Sequence, residues 1–165
     1  MERNLSAQIM DILEDNAKTT AEDMAMMLDA DAADIQAEIE RLERDKVIVK
    51  YTALIDRQKL EDMGAAEALI EVKITPQREY GYDDLARRIY KFDEVRAVYL
   101  MAGAYDLAVR IQSRNMREIS KFVFEKLAVL DGVTSTVTLF IMRKYKEAGV
   151  VLVEEETDER LVITP

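Results

Sequence analysis

The order of hydrophobic periods between residues 66 and 142 limits the possible folds of this chain more than any other feature. Ala68, Ile70, Val72 and Ile74 alternate with Glu67, Leu69, Glu71 and Lys73, the period of two expected of a strand buried mainly on one face. Pro76 stops that strand. Tyr82, Leu85, Ala86 and Ile89 follow at helical spacing. Two β-rich runs come next, Val95–Met101 and Leu107–Ile111, with Gly103 between them marking a tight hairpin. Asn115 and Glu118 suit a capping box, opening a second helix with Met116, Ile119, Val123, Leu127 and Leu130 on one stripe. Gly132 ends that helix, and Val133–Met142 reads as the last strand. This βαββαβ order predicts an α+β ferredoxin-like body, a four-stranded antiparallel sheet with both helices on one face. The other face needs cover. Leu69, Leu100 and Phe140 are expected on it, so pairing of two sheets in at least a dimer is expected.

Ahead of this body the pattern is purely helical. Leu5, Ile9, Ile12 and Leu13 form one face of a first helix. Thr19 with Glu22 suits a capping box for a short second helix, with Met24, Met27 and Leu28 inward. Asp31 caps a third helix whose stripe is Ile35, Ile39 and Leu42. The short turn Asp29-Ala30-Asp31 makes the last two a candidate helix-turn-helix, although three helices also form plain packing modules. Val47-Ile48-Val49-Lys50-Tyr51 reads as a wing or linker strand. At the other end, Gly149–Val153 and Leu161–Ile163 flank the polar run 154–159 and predict an extra hairpin.

Charge divides the chain along the same lines. Residues 1–50 carry 6 basic and 13 acidic side chains, a net of −7. Residues 51–148 carry 16 and 15, and residues 149–165 carry 1 and 5. The chain has no cysteine and no histidine, which excludes thiol chemistry and removes the commonest general base and metal ligand. The acidic run of the tail lacks the central glycine of a calcium loop, so no metal and no cofactor is expected. No apolar run approaches the roughly 20 residues of a membrane span, and Met-Glu-Arg-Asn lacks a signal peptide's order. A cytoplasmic, non-membrane protein is expected.

Candidate chemistry sits at the Gly103 turn. Backbone N–H groups there, beside Tyr105 and Asp106, suit the carboxylate and ammonium of a free amino acid. Leu100, Met101 and Ala104 complete the turn, and Thr134 and Thr136 are polar partners from the last strand. The plainer alternative is that Gly103 serves the turn and Asp106 accepts backbone hydrogen bonds.

Taken together, these parts resemble the Lrp/AsnC, or feast/famine, regulators over residues 1–146. The matching residues are Ile39-Glu40-Arg41-Leu42-Glu43, Val47-Ile48, Tyr51-Thr52-Ala53 and Asp56 in head and linker. In the body they are Gly103, Tyr105-Asp106-Leu107, Gly132-Val133, Thr136 and Thr138. The resemblance implies a transcription regulator, with a DNA-binding head over 1–50, a linker over 51–65 and an effector and assembly domain over 66–146. Residues 147–165 would be an extension. It also implies dimers joined into octamers, with an amino acid near Gly103–Asp106 at contacts between dimers.

The chain departs from the family where it would meet DNA. Asp29 and Asp31 stand where the family usually has glycine and serine, Glu38 where it has arginine, and Lys46 where it has glycine. Ala33, Ala37, Glu40 and Arg44 point away from the third helix's apolar stripe, and Gln36 suits an adenine edge. Arg41, Arg44, Lys46, Lys50 and Lys18 are candidate phosphate contacts, or ordinary solvated charges. Two other readings remain open. One is a sensor or assembly module with lost or weak DNA binding; the other is an Lrp-like enzyme such as a sirohaem decarboxylase. The second lacks a histidine to meet haem iron.

Overall fold

The computed structural model describes residues 4–59, 66–75 and 81–153. The chain divides into two compact units, residues 1–54 and 55–165.

The first unit, the head, contains α1 (Leu5–Asp15), α2 (Ala21–Leu28) and α3 (Ala32–Arg44). Ile9, Met24, Ile35, Ile39 and Leu42 are its buried core, matching the predicted stripes of α1 and α3. Asp31 caps α3 as expected, its carboxylate accepting from Ala33 N–H at 2.7 Å. Three expectations need correction. The capping box of α2 is Thr20 with Asp23, because the N–H and hydroxyl of Thr19 both turn back to the Asn16 carbonyl. Met27 points outward and is 64% exposed, since an eight-residue helix presents too narrow an inward face for both Met24 and Met27.

Residues 47–51 form no strand. Val47 and Ile48 instead donate to the Leu42 carbonyl at 2.9 and 3.1 Å, and Lys46 N–H donates to Glu43 O. These bonds close a Schellman motif on α3 with Lys46 at φ 55°. The β-branched run spends its first donors on that cap. Asp29 ends α2 in the same left-handed region at φ 51°, so two positions of positive φ carry side chains.

The second unit, the body, runs β1 (Ala66–Ile74), α4 (Tyr82–Ile89), β2 (Val95–Leu100), β3 (Leu107–Ser113), α5 (Met116–Phe122) and β4 (Val133–Phe140). The sheet is antiparallel in the order β2-β3-β1-β4, the ferredoxin-like arrangement. Ala68, Ile70, Val72 and Ile74 pack against Leu85 and Ile89 of α4 and Ile119 and Phe122 of α5. Asn115 caps α5 by accepting from Glu118 N–H at 2.9 Å. The Glu118 carboxylate does not close the box; it accepts from Ser113 Oγ at 2.6 Å. Beyond Phe122 the helix widens into a π-helical turn, Val123–Leu127. Met116, expected on the apolar stripe, is largely exposed.

Register corrects the assignment of sheet faces. Leu69 lies opposite Leu139 and Arg110 on the face away from the helices. Phe140 pairs with buried Ala68 and packs against the helix-side core. Leu100 pairs with buried Leu107, so it shares the helix-side register although it is 64% exposed at the strand end. The outer face instead carries Tyr99, Val137 and Leu139. Across it Arg110 bridges Glu67 at 3.1 Å and Glu147 at 2.8 Å, and Lys144 bonds both carboxylates.

Glu147 belongs to a small hairpin, β5 (Lys146–Glu147) with β6 (Val150–Val151). Its turn residues Ala148 and Gly149 both have positive φ, as a type I′ turn requires. The predicted partner of residues 149–153 was Leu161–Ile163. That run lies outside the described residues, as do Pro76 and the acidic run 154–159.

Candidate effector loop and DNA-facing helix

Helical geometry fixes what the head can offer a duplex. With Ile35, Ile39 and Leu42 buried, α3 leaves Ala33, Gln36, Ala37, Glu40 and Arg44 exposed. Gln36 Nε2 donates to Glu40 Oε1 at 3.0 Å, which orients the one amide of that face. Lys18, Lys46 and Lys50 are also exposed. Arg41 is differently placed. Its Nε and Nη2 donate to Glu38 at 2.8 and 2.6 Å, and its Nη1 donates to Asp45 at 3.0 Å. Glu38 also accepts from Ser6 Oγ on α1 at 2.5 Å. The bonds from Arg41 and then Ser6 lower the Glu38 pKa to about 2, and Glu38, then Asp45, raise that of Arg41. Glu38 therefore ties α1 and α3 together.

The body builds its candidate site at the C-terminal end of β1. The connection from β2 to β3 is longer than the tight hairpin expected, spanning residues 101–106, and Met101 N–H closes it on Asp106 O at 2.8 Å. Gly103 avoids positive φ and has open space around its α-carbon, so no left-handed turn demands glycine there. Leu100, Met101, Gly103 and Ala104 are exposed, while Tyr105 and Asp106 are half-buried. Asp106 N–H donates to Val72 O at 3.0 Å. Its carboxylate accepts from Ile74 N–H at 2.8 Å and lies 3.4 Å from Lys73 Nζ. The Ile74 bond, then Lys73, holds its pKa below the usual carboxylate range. The backbone role considered for Asp106 is thus present, and the carboxylate is ionised at the mouth of the loop.

Thr134 and Thr136 flank the same end of β1 from the opposite side. Thr134 Oγ1 donates to Lys73 O at 3.1 Å, and Thr136 pairs with Val72. With β1 between them, they stand two strand spacings, about 10 Å, from Asp106. Lys73 and the Ile74 amide were not among the expected site residues. Only cross-strand register brings them to Asp106, and the sequence carries no local mark of it. On the helix side of this end, Ile74, Thr75, Gly81, Leu85, Arg88, Asp131 and Gly132 line a pocket with room for about one water molecule. Among the described residues, no group of three carboxylates is disposed to hold a metal ion, and no helix is long and apolar enough to cross a membrane.

The family model of the Lrp/AsnC ligand binding domain matches residues 67–151, from β1 through the small hairpin. A protein of Bacillus subtilis strain 168, the uncharacterized HTH-type transcriptional regulator YugG, is 42% identical over 158 residues, 96% of this chain and 95% of its own length. The chain belongs to the Lrp/AsnC family of transcriptional regulators. Solved structures agree on the Lrp/AsnC fold. A Neisseria meningitidis transcriptional regulator in complex with L-methionine superposes with a TM-score of 0.73 at 20% identity, covering 89% of this chain and 94% of that one. A feast or famine regulatory protein of Mycobacterium tuberculosis complexed with L-methionine does so at 0.72 and 17%, covering 87% and 93%. The matched region takes in every candidate effector residue of the body.

Proposed function

We propose that this Lrp/AsnC protein binds DNA through the outward face of α3 and a free amino acid beside the loop from Leu100 to Asp106. Asp106 carries the effector reading. It is an ionised carboxylate pinned at the loop mouth beside the exposed residues Gly103 and Ala104, suited to a ligand ammonium while turn N–H groups take its carboxylate. Thr134 and Thr136 offer further hydroxyls from β4. The two fold neighbours described with L-methionine make methionine the first ligand to try. The protein acts as a regulator rather than an enzyme, in the cytoplasm; it forms dimers through the apolar part of the outer sheet face, and these dimers associate into octamers.

A calorimetric titration of the full-length protein with each of the twenty amino acids tests the effector reading. One saturable binder is expected. Unchanged affinity in a folded Asp106→Ala protein would move the site elsewhere. Light scattering that gave a monomer across micromolar concentrations would end the assembly proposal. A second reading, a sensor module without useful DNA binding, is favoured by the net charge of −7 on residues 1–50. Absence of any duplex binding at low salt would select it.

A further inference from the structure

The cluster around Arg41 goes beyond these assignments. Arg41 and Arg44 are the only cations within α3. Arg41 lies four residues after Ala37 and three before Arg44, on the flank of the exposed face, and its side chain is 47% exposed. A guanidinium there is placed for a backbone phosphate, the contact that supplies most of non-specific DNA affinity. Yet three of its five N–H donors are directed to Glu38 and Asp45. One cation between two carboxylates presents a net charge of −1 to an approaching strand, where a free arginine would present +1.

Glu38 is the fixed member of the cluster. Its side chain is only 17% exposed, and Ser6 Oγ holds it from another helix. Asp45, by contrast, is 53% exposed at the end of α3, where solvent and salt weaken its hold. Arg41 can turn to a phosphate only by leaving charge-assisted bonds to a carboxylate that cannot follow it. We propose that Arg41 is a phosphate-binding cation held off DNA by Glu38, with Asp45 assisting, so that Glu38 sets the DNA affinity of the head. The proposal rests on the reading of α3 as the DNA-facing helix.

The test uses full-length protein and a long fluorescent duplex of mixed sequence, with affinity measured across a salt series. Glu38→Gln keeps the shape and an acceptor for Ser6 while releasing Arg41. It is expected to bind more tightly at low salt, with a log–log salt slope steeper by about 0.9 for each head engaged. That slope corresponds to an affinity gain about 3.5-fold larger per head at 50 mM than at 200 mM salt. Arg41→Gln alone is expected to leave the slope unchanged, and added to Glu38→Gln it should cancel the gain. Asp45→Asn, which leaves the bond between α1 and α3 intact, should move the slope the same way by less, and it stands in if Glu38→Gln perturbs the helical circular dichroism.

A shallower slope in Arg41→Gln alone would show Arg41 already on a phosphate and would overturn the proposal. An unchanged slope in both folded charge-neutral variants, Glu38→Gln and Asp45→Asn, would reduce Glu38 to a tie between helices. If no variant binds any duplex at low salt, the DNA-facing reading falls and takes the proposal with it, a result distinct from binding with an unaltered slope.

Discussion

Five buried side chains make up the described core of the head, Ile9, Met24, Ile35, Ile39 and Leu42, whereas the body closes around thirteen, from Ala68 on β1 to Leu127. The head's elements are closed by neighbours in sequence. Asn4, Thr20 and Asp31 each cap the helix that follows, and Lys46 ends α3. The body is closed by distant pairs, such as Ala66 with Ser113 and Ala68 with Phe140. A small helical unit with few buried groups is marginal in stability and quick to form; a sheet of long-range pairs is slower and more strongly held. The head is therefore the part whose fold a single substitution is expected to abolish, and the body is the part whose surfaces distant residues decide.

The largest expected effect would break the comparison outright. Ile9→Ala should destabilise by about 2–5 kcal/mol, the range for emptying a packed aliphatic site. That loss should melt the head while the body stays folded. Hydrogen exchange is the measurement: fast exchange over α1–α3 with protected β1 and β3 is expected, and loss of protection in both units together would show one cooperative fold. Amino-acid binding should survive this variant, and DNA binding should not.

Asp106→Ala acts on the body alone. It removes the acceptor of Ile74 N–H and the proposed partner of the ligand ammonium. Effector affinity should fall about tenfold, the scale of one charge-assisted hydrogen bond, while duplex binding without effector stays unchanged. A loss of duplex binding in effector-free protein would show that the loop supports the head and blur the division.

Lys46→Gly sharpens the comparison in the other direction. Lys46 holds a left-handed conformation at φ 55°, which glycine adopts without the Cβ clash, so the head should gain about 1 kcal/mol. Chemical denaturation that found the variant less stable would mean that the lysine side chain offsets its backbone strain.

The smallest effect is acid sensitivity within the head. Glu38 has its pKa lowered from 4.5 to about 2 by Arg41 and Ser6. A depressed carboxylate contributes stability that is fully present above about pH 4.5 and is lost as pH falls through about 2. Helical circular dichroism followed from pH 5 downward should therefore decline less steeply in Glu38→Gln. An identical decline would show that the Glu38 bonds do not contribute to folding.

The outward residues of α3 were legible because helical period alone sets them. Once Ile35, Ile39 and Leu42 turn inward, Ala33, Ala37, Glu40 and Arg44 must turn outward. The i,i+3 spacing of Glu38 and Arg41 makes their pairing local to α3, but the tie from Glu38 to α1 was not legible, since Ser6 lies thirty-two residues away in sequence. In the body, Asp106 was visible as a turn carboxylate. Its partners Ile74 and Lys73 were not, because a shift of register by one residue would have given it others.

By itself the sequence determined the three helices of the head, the inward stripes of α1 and α3, the caps at Asp31 and Asn115 and the ferredoxin-like order of the body. Each of these depends on residues within one or two turns of each other, where period and capping chemistry act directly. Tertiary structure alone decided that Phe140 faces the helices, that Val47 and Ile48 cap α3 instead of forming a strand, and that Glu147 folds back to Arg110. Backbone and charged groups take whichever partner the fold brings within hydrogen-bond reach, and that choice is made only when distant segments meet.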